Sequence, residues 1–183
     1  LGVYAMDALT SADNCVGIGY AALGATTTGG NNTGVGWSAL LANSTGDSHT
    51  AFGYNALAAV TDSTGNTGIG TNAGDAITTG DSNSAVGYNC LTTLTEGSYN
   101  VAMGQDAANA MTTGNGNVAV GREALKAGTT GNYNTVLGHA AAANNGAMTT
   151  GLNNVIIGAY CDPSAVDAQN QIVIGHDATG IGD

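Results

Sequence analysis

The sequence predicts an all-β chain wound as a parallel β-solenoid, and three observations carry that expectation. First, a glycine recurs every 17 residues at Gly2, Gly19, Gly36, Gly53, Gly70, Gly87, Gly104, Gly121 and Gly138, then at Gly158 and Gly175 after one interval of 20. A fixed period of this length is the signature of a repeat architecture. Second, four residues before that glycine stands a column of amides: Asn32, Asn66, Asn83, Asn100, Asn117, Asn134 and Asn154, with Gln171 at its end and Cys15 and His49 as departures. Third, 30 glycines with one proline, one tryptophan and one phenylalanine leave little with which to fill a spherical core. Yet 43% of residues are hydrophobic and 8% charged, a balance unlike that of a disordered linker. A thin interior of small residues, repeated layer upon layer, reconciles these facts.

Within each repeat the strand is expected in the segment before the glycine, as in Asn-Thr-Gly-Val-Gly at 32–36. The residue next to the glycine is large and apolar: Ile18, Val35, Phe52, Ile69, Val86, Met103, Val120, Leu137, Ile157, Ile174. One position earlier it is small, from Gly17 to Ala119, and grows only at Val136, Ile156 and Val173. Side chains alternate along a strand, so the large column and the Thr/Val column two earlier are expected to face into the coil. The Gly/Ala column would then face outward as a close-approach surface for a partner chain. Alanine or cysteine recurs three residues after the glycine, and Thr or Ser eight after it, followed by a turn glycine such as Gly29, Gly46 or Gly80. Stacked at about 4.8 Å, Asn over Asn and Thr over Thr would form side-chain ladders. The second half, typified by Tyr54–Val60, is expected as a strand, with a helical turn as the alternative.

The 20-residue interval places a three-residue insertion within 140–148, around the turn-forming Asn144-Asn145-Gly146. Residues 1–158 are thus expected as a regular solenoid and 159–183, which contain Pro163, as degenerate terminal rungs or a junction. The glycine column counts about eleven rungs, roughly 50 Å of stacking at strand spacing. A first residue other than Met, in mid-repeat, points to a segment of a longer chain.

Two basic residues against 13 acidic ones give a net charge of −11. Binding to nucleic acid, or to an anionic membrane surface, needs clustered Lys and Arg. Neither partner is expected, and no apolar run reaches the roughly 18 residues of a membrane span. Candidate chemistry is sparse. Gly-x-Gly at 17–19, 34–36 and 68–70 lacks the strand–turn–helix context of a dinucleotide site and reads as packing. Asp13, Asp47 and Asp81 share a turn column on alternate rungs and read as solvated turn residues rather than a calcium row. Cys90 and Cys161 share the alanine column four rungs apart, too far for a disulfide. They are expected as small core residues. His139 and His176 share the column after the glycine, apart from His49, and make no metal site. No catalytic constellation stands out, so no enzyme, cofactor or metal is expected. That same column holds Tyr20, Trp37, Tyr54 and Tyr88. These are the candidate recognition residues, suited to sugar rings or a protein partner, or else a cover for the edge of the coil.

Asn32–Leu40, Asn-Thr-Gly-Val-Gly-Trp-Ser-Ala-Leu, and its copies resemble the repeat arrays of bacteriophage tail fibres. Gly53-Tyr54-Asn55-Ala56-Leu57, Gly87-Tyr88-Asn89-Cys90-Leu91 and the recurrent Thr-Thr-Gly carry the likeness. The motif is also similar to the left-handed β-roll head of trimeric autotransporter adhesins. The resemblance implies a left-handed β-roll packed as a homotrimeric fibre. It further implies attachment to a host cell-surface receptor, glycan or protein, and location in the virion tail fibre, or on the bacterial surface for an adhesin. An ice-binding solenoid is a third reading, suggested by the threonine column.

Overall fold

The computed structural model describes residues 2–143 and 148–181. Ten three-residue strands follow one another: β1 Val16–Ile18, β2 Thr33–Val35, β3 Thr50–Phe52, β4 Thr67–Ile69, β5 Ser84–Val86, β6 Val101–Met103, β7 Val118–Val120, β8 Thr135–Leu137, β9 Val155–Ile157 and β10 Ile172–Ile174. They form one sheet in sequence order, every pair parallel. Partners lie 17 residues apart, as in Val16 with Thr33, except between β8 and β9, as in Thr135 with Val155. The chain is therefore a parallel β-solenoid of 17-residue coils, about nine turns between first and last strand, with no helix among the described residues. The expected count of about eleven includes Gly2 as a rung. Residues ahead of β1 contribute only turns, held by bonds such as Met6 N–H to the Ala22 carbonyl at 2.9 Å.

The strand faces are the reverse of the sequence expectation. In all ten strands the middle residue is buried, and the residues flanking it are half-buried or exposed. The Gly/Ala column points inward; the Ile/Val and Thr/Val columns point outward. The cause is the narrowness of the coil. A β-carbon on Gly68 would lie 2.7 Å from Leu57 Cγ, and one on Gly34 would lie 3.3 Å from Leu23 Cγ. Leucines supplied by the turns already occupy the interior, so only a small side chain fits opposite them.

The second half of each coil is neither strand nor helical turn, which corrects the expectation for Tyr54–Val60. Two consecutive tight turns run there, closed by Ala56 N–H to Gly53 O at 3.5 Å and Val60 N–H to Leu57 O at 3.4 Å. Asn55 and Leu57 have φ of 54° and 52°, and the same two positions recur as Ser38 and Leu40, Asn89 and Leu91, and Glu123 and Leu125. For residues other than glycine this left-handed conformation costs roughly 1–2 kcal/mol each. Bonds to the neighbouring coils offset the cost. Asn55 N–H donates to Trp37 O in the coil before at 2.9 Å, and Leu57 N–H donates to Ala73 O in the coil after at 3.0 Å. The alternation turns Ala56, Leu57 and Val60 all inward, fully buried, and leaves Tyr54 outside. A strand could not send two successive side chains to one face.

The period-setting glycines have a separate cause. From Gly19 to Gly175 their φ runs from 125° to 156°, and a β-carbon on Gly87 would stand 2.5 Å from the carbonyl oxygen of Gly104 in the next coil. The three-residue insertion falls between Ala141 and Thr149. Leu125 N–H still meets Ala141 O sixteen residues on, whereas Thr129 N–H reaches Thr149 O, twenty on. The turn expected at Asn144-Asn145-Gly146 lies outside the described residues. β9 and β10 keep the common register across the rung that carries Pro163.

Gly87→Ala is expected to destabilise the chain by about 3 kcal/mol, through backbone collision and strained φ together. Gly65→Asn, at a position with φ 72° whose counterparts Asn31 and Ser82 already carry side chains, is expected to stay within about 0.5 kcal/mol of the parent. Urea denaturation of the two variants side by side checks the contrast.

Candidate functional site

The amide column is buried from Asn32 to Asn154, with Gln171 half-buried at its end, and its geometry exceeds a simple amide stack. Each of Asn66, Asn83, Asn100, Asn117 and Asn134 does three things. Its Oδ1 accepts the backbone N–H of the next member, as Asn83 does from Asn100 at 3.0 Å and Asn100 from Asn117 at 2.9 Å. The same oxygen accepts the next side-chain amide, at 3.0 Å from Asn100 to Asn83 and 3.1 Å from Asn117 to Asn100. Its Nδ2 donates to the carbonyl that ends the coil, at 2.8 Å for both Asn83 to Gly97 and Asn100 to Gly114. Asn32, Asn66, Asn117, Asn134 and Asn154 make the same carbonyl contact at 2.7–2.8 Å. These residues are a structural spine. The Thr column is tied differently from the expected hydroxyl-to-hydroxyl ladder: Thr78 Oγ1 donates to Thr95 O at 3.1 Å, and Thr112 Oγ1 to Thr129 O at 3.2 Å.

His49 is where a functional group hides in the spine. Its Nδ1 accepts Asn66 N–H at 3.0 Å, and its Nε2 lies 2.9 Å from Ser63 O. An imidazole thus reproduces the acceptor and donor of an asparagine. Read from the sequence it is only a departure from the column, since no rule of residue type announces that substitution. Burial pushes its pKa below the ordinary histidine value, against the opposing pull of backbone bonds and of Asp47 and Asp81. Cys90 and Cys161 are likewise interior. The Cys90 thiol donates to Ala102 O at 3.1 Å, and burial pushes its pKa up to about 12.

Two of the three turn carboxylates are engaged. Asp47 accepts Gly30 N–H and Asp81 accepts Thr64 N–H, each at 2.7 Å. Ser98, Asn115 and Asn132 continue the column with the same type of bond, at 2.8–3.0 Å. A carboxylate oxygen here does what an amide or hydroxyl oxygen does elsewhere, so the column is built around backbone N–H groups rather than a cation. Among the described residues no group of three or more His, Cys, Asp and Glu is placed to hold a metal.

The aromatic column lies on the outside, with Trp37, Tyr54 and Tyr88 about half exposed and Tyr20 somewhat less. Tyr20 and Trp37 stack face to face, centroids 4.2 Å apart and planes 19° apart, and Tyr4 meets Tyr20 edge-on at 5.6 Å. One face of Tyr20 is therefore covered by Trp37. Tyr54 and Tyr88 belong to the same column beyond this stack. Towards the other end His139, Tyr160 and His176 form an edge-to-face chain at 5.0 and 5.9 Å. Arg122 and Lys126, the two cations, both contact Glu123, at 2.9 and 3.5 Å. Tyr99 and Tyr133 were not singled out by the sequence, yet they are the most exposed aromatics at 68% and 67%. Both stand one residue before the spine at φ near 60°. The absence of a recurring aromatic there in other repeats hid them.

Beside the aromatic column runs the outward strand column. Ile18, Phe52, Ile69, Met103 and Ile174 are each more than 40% exposed, and Val35, Val86, Val120, Leu137 and Ile157 are half-buried. An apolar stripe thus follows the sheet from β1 to β10.

No known family matches this chain, and no curated protein or solved structure is similar to it. The likeness to phage-fibre and adhesin repeats rests on the repeat residues alone.

Asn100→Ala is expected to cost about 3 kcal/mol, because it strips the Asn117 N–H of its acceptor and the Gly114 carbonyl of its donor inside the coil. Chemical denaturation measures it. Thermal or urea curves need a rung-by-rung treatment, since stability in a stacked repeat is distributed along the chain.

Proposed function

We propose that this chain is a structural fibre protein, a segment of a homotrimeric shaft or receptor-binding region in which three left-handed coils pack side by side. The observation that carries the reading is the uninterrupted apolar stripe along the outward strand face. Contiguous exposed apolar surface of this extent marks an interaction site. Its repetition at every coil fits a partner with the same rise per rung, which an identical chain provides. The partner face is then the Ile/Val column, not the Gly/Ala column that the sequence favoured.

The same architecture supports attachment to a host surface as the role of this fibre. Because the recurring columns serve the coil itself, recognition falls to the variable outer positions. Tyr54, Tyr88 and the Tyr20–Trp37 stack are exposed there, beside a strongly acidic surface that suits neither nucleic acid nor an anionic membrane. A tail fibre of a phage is the preferred setting. An adhesin head on a bacterium shares every feature named and differs in what flanks the repeats. The ice-binding reading loses its main support, because the hydroxyls of Thr27, Thr78, Thr95 and Thr112 are spent on carbonyls of the adjoining coil.

Sedimentation equilibrium of the chain is expected to give three times the 17.8 kDa monomer mass, and a stable monomer overturns the proposal. Ile69→Asp combined with Met103→Asp, on the outward face, is expected to release monomers while leaving the β-sheet circular dichroism unchanged. Trp37→Ala together with Tyr54→Ala is expected to weaken binding to host cells by about tenfold or more in a pull-down, with the trimer mass intact.

A further inference from the structure

The spine joins each coil to the next through a side chain that must accept from above and donate to a carbonyl. Seven asparagines meet that requirement with a group that does not titrate. His49 meets it with a group that does. The backbone N–H of Asn66 can only donate, so Nδ1, 3.0 Å away, is the unprotonated nitrogen. The carbonyl of Ser63 can only accept, so Nε2, 2.9 Å away, carries the hydrogen. A second proton would put an N–H against the Asn66 N–H, and a cation in a fully buried position.

We infer that His49 is an acid-operated joint: protonation of its ring breaks the spine between the coil that ends at Ser63 and the coil that begins at Asn66, opening the solenoid there and nowhere else along the asparagines.

The surroundings fit a local opening rather than a general loss of structure. His49 Nε2 and Asn43 Oδ1 both approach the α-carbon of Gly46 closely, lying 2.7 and 2.5 Å from where a β-carbon would stand. Asn43 Oδ1 is buried with no hydrogen-bond partner, as is Thr26 Oγ1 in the same core column one coil earlier. In later coils that column holds Val60, Ile77, Leu94 and Met111, all buried. Within that column polar side chains thus stand at Thr26 and Asn43, in the two coils before the one that His49 opens, and apolar ones follow. The charged groups acting on the ring are Asp47, in the turn leading to it, and Asp81, two coils on, and both favour the cation. Asn32, Asn43, Ser63 and Asn66 face it without charge.

The sign follows from burial. Folding holds the ring below its ordinary pKa, so the unfolded or opened chain binds the extra proton first. The contribution of this joint to stability is intact above the ordinary value of 6.5 and is lost as pH falls from there through the lowered folded value. Histidine is suited to this range of pH. The other two histidines, His139 and His176, lie outside the spine, so the effect is confined to one coil.

Hydrogen–deuterium exchange tests the joint on the intact chain, with rates corrected for intrinsic pH dependence. Between about pH 7.5 and pH 5, amides of residues 47–66 are expected to lose about tenfold or more of their protection, while those of 83–134 hold within about twofold. His49→Asn, which places in the column the residue found in seven other rungs, is expected to abolish the difference. Retained protection of residues 47–66 at pH 5, or equal loss in His49→Asn, overturns the inference. An NMR titration of the imidazole in the unsubstituted chain is independent of how the variant folds. A neutral ring protonated at Nε2 at neutral pH is the expected result, and a cationic or Nδ1-protonated ring refutes the proposal. Neither measurement depends on the trimer or on a receptor.

Discussion

One constraint governs the rest of this structure: every coil must satisfy a buried backbone N–H and a buried carbonyl at the same corner. An unpaired polar group in that position costs about 1–3 kcal/mol, and the demand recurs with every turn. A side-chain amide is the smallest group that accepts and donates in one plane, and its own stacking adds a further bond at 3.0–3.1 Å per step. Once that corner is fixed, the strand after it has three residues in which to cross the wall before the glycine turns the chain. The two tight turns must then return the chain to the next corner. The 17-residue period is the length of that circuit.

The coil is thin, and its thinness determines the rest of the packing. Leucines from the turns fill the interior from one side, so the strand opposite can offer little more than glycine or alanine. In the last rungs the strand residue enlarges to Val136, Ile156 and Val173, all still buried. The large aliphatic side chains are displaced to the outer face, where water would otherwise cover them. Interior and exterior are in this sense coupled. A core too narrow for isoleucine is what creates an apolar outside.

Much of this could be read from the residues. The period, the amide corner and the glycine column each have one physical cause and one residue type that serves it, so Asn100 and Gly87 announce their roles. The strand faces were hard to read, because a three-residue strand such as Thr67-Gly68-Ile69 puts its polar residue and its large apolar residue on the same face, so polarity and size point in opposite directions. The turns were hidden for another reason. Left-handed conformations at Leu57 and Leu91 are stabilised by bonds to neighbouring coils, and leucine gives no local sign of them. On the outer surface, Tyr20, Trp37, Tyr54 and Tyr88 share one position of the period, but their mutual arrangement depends on rings in adjacent repeats. His49 shows the opposite limit: its place was plain from the period, and its meaning required the positions of both ring nitrogens.

The bonds that hold the coils together all point along the stacking direction. Under tension applied at the two ends of the rod, those bonds bear the load in series, and a single weak step is enough for coils to peel away one after another. Side-by-side contact along the outward stripe changes that geometry, since separating one rod from its companions loads many contacts in parallel, as shear. A lone solenoid of this kind is a poor rope, and a bundle of them is a good one. In the proposed trimer the column of exposed isoleucine, valine and phenylalanine would therefore be as much a mechanical feature as an adhesive one.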